Sequence, residues 1–462
     1  MTAVMSYCAL CLLLVFGKGI RTMIPLLQKL YLPSSIIGGL LGLVCLNAGG
    51  GILPTEWSTG WAAIPGFLIN IVFATLFIGR SFPKIGGIRR SVASQLCFGQ
   101  IMAWGMYVVG LGVTALVLVP CFKVPPVFGN LLEIGFEGGH GTVGGLSSTF
   151  EELGWDAGTA LGYTTATIGM VIGIVVGMAL INFAVRRKQV KNIRSFEELT
   201  ETEQKGFYPV NAQPPAGKQT VLCDSIDSLA WHVAVVGMAV LMGYGMKQLL
   251  VVLETALPES VRSLAILRSI PLFPLCMLGG LLLQWLLSVL HLDNLVDFGQ
   301  IQRIGGASLD FLVVSAVATI RLDFIVQYWM PLTILLAVGV AWALFGALVL
   351  APRMFTDDWF ERMICEFGQY TGVTATGLLL LRTVDPESKT SAPTAFGCKQ
   401  LLHEPIMGGG VWTSMAVPLV IRFGAVPVII ISAVAMILWF IFWIFYLRRP
   451  ASQARQVGRL QA

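Results

Sequence analysis

Apolar stretches of about 20 residues succeed one another along the chain, separated by short polar breaks. A helix rising about 1.5 Å per residue needs about 20 such residues to cross a hydrocarbon core of about 30 Å. The pattern predicts eleven spans, near residues 4–20, 34–53, 61–79, 91–119, 158–185, 229–250, 272–291, 306–328, 331–350, 394–420 and 425–447. Two further segments, 125–156 and 358–385, are too broken by glycine and charge to read as plain spans.

Composition agrees with that pattern: 56% of the 462 residues are hydrophobic and 12% charged, against the roughly 45–50% apolar usage of soluble domains. The chain therefore reads as an all-α integral membrane protein bedded in a lipid bilayer. "MTAVMSYCALCLLLVFGKGIR" has no basic residue before its apolar run and no small-residue cleavage site after it, so it does not read as a secretory signal. Lys18 and Arg21 follow the first span, which predicts an outside amino terminus. Carried through all the spans, this orientation puts eighteen loop lysines and arginines in the cytoplasm and only Lys123, Arg262, Arg268 and Arg422 outside. It also predicts a cytoplasmic carboxyl terminus. The net charge of +5 is this bias and implies no nucleic-acid partner. Nine scattered cysteines, including the C-x-x-C at Cys8 and Cys11 inside the first span, suggest neither a disulfide framework nor a metal or redox site.

A hydrophilic linker, 186–228, divides the chain into halves of similar length, 1–185 and 229–424, with 425–462 left as an additional helix and basic tail. The broken segments correspond across that linker. "EIGFEGGHGTVGG" from Glu133 and "EFGQYTGVTATGL" from Glu366 align Glu133 with Glu366, Gly135 with Gly368, Gly139 with Gly372 and Gly144 with Gly377, each 233 residues apart. Thr159–Gly162, "TALG", recurs as "TAFG" at Thr394–Gly397. Four spans precede each broken segment and one follows it, yet the halves start on opposite sides. Two inverted repeats of five spans plus one broken segment each are expected, and that layout is a signature of secondary transporters with sites near the bilayer midplane.

Backbone groups in hydrocarbon need partners unless they line a protein-buried or watery cavity. Each broken segment therefore reads as a re-entrant hairpin, turning at its glycines, with the two tips meeting near mid-membrane. Glycine at a tip permits positive φ and close approach to a ligand. Thr142, Ser147, Ser148 and Thr149 can cap or line the first returning arm, and Thr371, Thr374 and Thr376 the second. A half-helix starting at a tip presents free N–H groups suited to a carboxylate, and neighbouring carbonyls and hydroxyls suit Na⁺. The candidate substrate-binding residues are Gly138, Gly139, His140, Gly141, Thr142, Thr371, Gly372, Thr374 and Thr376, and the candidate cation-binding residues Glu137 and Glu404.

Each has a plainer alternative. Glu133 and Glu137 can sit at a watery mouth, and His140 can be a packed neutral ring. "HEPIMGGG", His403–Gly410, places a histidine and a carboxylate in the tenth span, which Pro405 is expected to break, with His403 a structural partner. Asn70 and Asp310, 240 apart, read as helix-end or scaffold groups. Gly169, Gly173 and Gly177 read as helix packing.

The "GFEGGHGT" tip with its serine- and threonine-rich return, the second broken segment and the cytoplasmic connector resemble the bacterial sodium/glutamate symporter family across nearly the whole chain. That resemblance implies Na⁺-coupled uptake of glutamate across the inner membrane by an elevator-like motion of a hairpin-bearing domain against a dimeric scaffold. It implies no cofactor beyond Na⁺ as coupling ion. The additional final span and the loosely matching "YTGVTATG" depart from the family plan. An enzyme is not expected: Asp310 in "SLDF" and Asp323 in "RLDF" lack the contexts of an intramembrane aspartyl protease, and the linker is too short for a cofactor domain. Other anions, H⁺ coupling, or a passive channel remain the alternative classes, since re-entrant tips also build pores.

Overall fold

A computed structural model describes residues 2–29, 32–47, 54, 56–80, 90–187, 205–208, 211, 213–256, 258, 267, 270–385 and 389–448. Among the described residues the chain is helical without strands, and nine helices are long and apolar enough to cross a membrane. The principal helices are α1 (Thr2–Met23), α2 (Ser34–Asn47), α3 (Glu56–Ala74), α4 (Arg90–Val113), α5 (Leu131–Phe136), α6 (Gly139–Glu152), α7 (Ala157–Arg186) and α8 (Ser228–Thr255). They continue with α9 (Leu272–Val289), α10 (Phe298–Ala318), α11 (Leu322–Phe345), α12 (Trp359–Val384), α13 (Ala392–His403), α14 (Val411–Phe423) and α15 (Ala425–Phe442).

The span count is nine rather than eleven because two expected spans are short. Helix α2 has 14 described residues, and 48–53 lie outside the described residues. The stretch 394–420 is two helices, α13 and α14, parted by residues 404–410 where Pro405 and three glycines interrupt the pattern. The expected span 306–328 is displaced: Asp297 caps α10 by accepting from Gln300 N, so the helix starts eight residues earlier and takes in the polar "GQIQR" run. It then stops at Ala318. Residues 188–204, 209, 210 and 212 of the linker lie outside the described residues, as do 449–462 of the basic tail.

The helices pack as two groups. In the first, α10 lies on α2 and α3, α1 on α2, α9 on α3, and α8 on α9. In the second, α7 lies on α5, α6 and α12, while α4 carries α11, α13 and α15. Helix α6 touches both groups, through α7 on one side and α3 on the other. Helices α4 and α11 end alike: each passes through a π-turn, Thr114–Leu118 and Gly346–Leu350, into a last α-turn opened by Pro120 or Pro352. Both endings carry the string A-L-V-L-x-P, Ala115–Pro120 and Ala347–Pro352, 232 residues apart.

Each broken segment is interrupted near its middle. In the first, the break falls at 137–138, with Gly139 at φ +67°. A methyl built on Gly141 would lie 2.9 Å from Ile69 and one on Gly144 2.9 Å from Pro65, so α6 runs antiparallel to α3. Along α7, Gly158 meets Phe150 and Gly162 meets Val143 on α6, while Gly169 meets Phe136 on α5. Helix α6 thus lies on 158–162 of α7, and the end of α5 on the next stretch, 165–169.

In α12 the break is at Gly372 and Val373. Residues 368 and 377 would be about 13 Å apart along an unbroken helix. Instead a methyl on Gly368 would lie 2.6 Å from the Cα of Gly377, and the two arms pack backbone to backbone. Asp358, just before the first arm, accepts from Ser391 N at 2.8 Å, tying the segment's entry to the stretch that follows its exit.

Candidate functional site

The two breaks touch. A methyl on Gly139 would collide with Cγ1 of Val373, so the tips are in van der Waals contact with nothing between them. Gly139 can hold φ +67° because it has no Cβ. Val373 sits at φ +62°, ψ 169°, a region that is essentially glycine-only and costs a side-chain-bearing residue about 1–3 kcal/mol. That strain is held by the packing around it. Helix α6 begins beside this contact with no side chain capping its first turn, so its leading N–H groups are available to an anion.

Carboxylates surround the tips: Glu133 and Glu137 are buried and Glu404 is half-buried. Glu133 accepts from Tyr107 Oη at 2.6 Å through Oε2, and from Thr413 Oγ1 at 2.9 Å and Gly408 N at 3.2 Å through Oε1. Its three donors are uncharged. One turn on, Glu137 Oε1 meets His403 Nε2 at 2.5 Å and Gln369 Nε2 at 3.1 Å.

The hydrogen-bond directions follow from groups that can only donate. Trp104 Nε1 donates to Gln100 Oε1, which leaves Gln100 Nε2 to donate to His403 Nδ1. The ring proton of His403 is then on Nε2 and points at Glu137. From the other side, Lys399 Nζ donates to Gln369 Oε1 at 2.8 Å, so Gln369 Nε2 donates to the same carboxylate oxygen. Every chain of donors ends on Oε1. Oε2 of Glu137 is buried without a hydrogen-bond partner, an acceptor in want of a proton or a cation.

The second tip has its own carboxylate. Thr374 Oγ1 donates to Glu404 Oε1 at 3.1 Å, and Gln400 Nε2 lies 3.0 Å from that oxygen and 2.5 Å from Thr374 Oγ1. His403 and Glu404, adjacent where α13 ends, therefore reach the first and second tips respectively. The interruption at 404–410 returns to the first tip: Gly408 and Gly409 adopt φ +64° and +107°, and a methyl on Gly409 would lie 2.5 Å from Thr142 Oγ1.

Of the candidates from sequence, Gly138, Gly139, Thr142, Glu137, Gly372, Thr374 and Glu404 gather about the two tips. Gly141 packs on Ile69 of α3. His140 is held to α7, with Nε2 2.9 Å from Thr167 Oγ1 and its ring stacked on Tyr163. Thr371 donates to Phe367 O at 2.6 Å, and Thr376 lies under Gly372. Asn70 bonds to its own helix at Gly66. Sequence reasoning missed Tyr107, Gln369, Lys399, Gln400 and Thr413. The repeated A-L-V-L-x-P string anchors the internal register, and a lysine inside an otherwise apolar span is a signal in itself.

The sequence profile of the sodium/glutamate symporter family matches residues 1–384. The chain is similar to the sodium/glutamate symporter of Escherichia coli (strain K12), at 22% identity over 395 residues, covering 81% of this chain and 86% of that one. The sodium/glutamate symporter of Shigella flexneri matches to the same extent. No solved structure matches it.

Proposed function

The chain belongs to the sodium/glutamate symporter family, and on that premise we propose that it carries glutamate or a closely related amino acid or carboxylate together with Na⁺ across the bacterial inner membrane. It is a multi-pass membrane transporter and not an enzyme. The observation that carries the finer assignment is the meeting of Gly139 and Val373, with the partnerless Glu137 Oε2 beside it.

In this reading the segments about 125–156 and 358–385 are re-entrant hairpins of two inverted repeats. The antiparallel arms of the second segment, the 233-residue offset of Glu133 and Glu366, and the matching ends of α4 and α11 support it. Substrate carboxylate docks on the uncapped start of α6, lined by Gly138, Gly139 and Thr142, with Gly372 and Thr374 facing from the second hairpin. Na⁺, which takes oxygen ligands, is held at Glu137 Oε2, with Glu404 as a second carboxylate at the opposite tip.

With the tips in contact there is no room for substrate between them, so binding requires them to part. The division of the helices into two groups joined through α6 suits an elevator-like displacement of the hairpin-bearing group against the other in a homodimer, amino terminus outside and carboxyl terminus cytoplasmic. Uptake into proteoliposomes tests this directly, with glutamate, aspartate, other carboxylates and neutral amino acids offered under imposed Na⁺ or proton gradients. Glutamate is expected to accumulate against its gradient with Na⁺. Proton-driven accumulation would move the coupling to H⁺, and equilibration without accumulation would mean a channel.

A further inference from the structure

Glu133 and Glu366 stand 233 residues apart at corresponding points of the two broken segments, and each is no more than 1% exposed. Their surroundings differ in charge. Glu133 has three neutral donors, whereas Glu366 Oε2 lies 3.2 Å from the ammonium of Lys399, and its Oε1 accepts from Gln95 Nε2 at 2.8 Å. Lys399 is itself fully buried. Its ammonium also donates to Gln369 Oε1 at 2.8 Å, and the end of its side chain lies against Gly99, where a methyl would come within 2.8 Å of Nζ. The arrangement is a slot shaped for one positive charge, with a carboxylate oxygen and an amide oxygen turned towards it.

We propose that the Lys399 ammonium is a tethered cation standing where a mobile ion would otherwise neutralise Glu366, so that only the site at Glu137 exchanges Na⁺. A buried carboxylate must be neutralised or paired. For Glu137 the free oxygen invites a mobile ion, whereas for Glu366 the countercharge is covalently attached and cannot leave. Lys399 thereby lowers the number of cations moved per cycle by one relative to a chain with two open sites. The same residue orients the amide of Gln369 towards Glu137, so the fixed cation also helps shape the exchanging site. This inference rests on the Na⁺-coupled reading above.

Its test uses the purified full chain in nanodiscs, with radioactive Na⁺ binding and thermal melting measured in Na⁺ and in N-methylglucamine. In K399M the slot loses its ammonium but keeps Glu366 and Gln369, and the variant is expected to bind one more Na⁺ than the wild type. Its melting temperature should rise with Na⁺ by a few degrees beyond the wild-type response. The extra ion and the extra rise should vanish in E366Q/K399M. Recovery of folded K399M only from Na⁺-containing medium would also support the assignment.

A wild-type Na⁺ count in K399M, or an extra ion that persists in E366Q/K399M, would overturn it. So would failure to recover K399M in either medium when E366Q/K399M folds, because Na⁺ would then be unable to stand in for the lysine. Loss of both variants counts against it equally, since a filled ion site should tolerate removal of ion and carboxylate together. Should the wild type bind no Na⁺, it is the Na⁺-coupled function that fails, while the increment in K399M remains readable on its own.

Discussion

Gly139→Ala probes the contact between the two tips more directly than any other substitution. At φ +67° an alanine has the left-handed penalty of about 1–2 kcal/mol. Its methyl would also run into Val373 Cγ1, and overpacking of this kind costs about 1–3 kcal/mol. The expected sum is about 2–5 kcal/mol. If the tips must hold their geometry for transport, the lower figure already corresponds to about a 30-fold fall in Na⁺-driven uptake. The two contributions separate in a double-mutant cycle, because G139A/V373A removes the collision and leaves the backbone penalty. Uptake and melting temperature should both recover by the collision share, about 1–3 kcal/mol. Wild-type uptake and melting in G139A would refute this reasoning, as would a Val373→Ala partner that restores nothing.

Three further outcomes are expected. Glu137→Gln preserves the shape of the side chain but removes the charge behind the partnerless oxygen, so the Na⁺ concentration for half-maximal uptake should rise by about tenfold or more, equivalent to about 1.4 kcal/mol. An unchanged Na⁺ dependence would exclude Glu137 as a ligand. Tyr107→Phe strips the donor at 2.6 Å from Glu133 Oε2 and leaves a buried acceptor unsatisfied, a loss of about 1–3 kcal/mol seen as a lower melting temperature. Thr374→Val removes the donor that links the second tip to Glu404, and uptake should fall several-fold. If the two residues act together, adding Glu404→Gln should then cost less than it does alone, as the same cycle logic measures.

Much of this arrangement is legible in the chain because glycine and charge stand out against an apolar background. The breaks announce themselves at Gly139 and Gly372, and the one in the tenth span at Pro405. Partners supplied by distant helices are not legible. Lys399 stands inside the expected span 394–420 as a lone charge, but only the approach of Gly99 on α4 and Glu366 on α12 reveals its partners. Tyr107 and Thr413 look like ordinary helix residues until α5 brings Glu133 between them. The start of α10 escaped notice for the opposite reason: "GQIQR" is polar enough to pass for a loop, yet a cap at Asp297 and packing on α2 and α3 carry it into the helix. Val373 was hidden because residue type argues against the conformation it adopts.

Among the described residues, only Thr319, Ile320 and Arg321 connect α10 in the first helix group to α11 in the second. From Ala318 to Leu322 a fully stretched chain reaches roughly 13–14 Å. The Arg321–Asp323 pair across the start of α11 is largely solvent-exposed and offers little resistance to stretching. This crossing acts as a short leash: close to it the groups can pivot but cannot travel far. In the displacement proposed above, a larger excursion there would have to unwind the last turn of α10 or the first of α11, leaving the far end of the second group the greater freedom to swing.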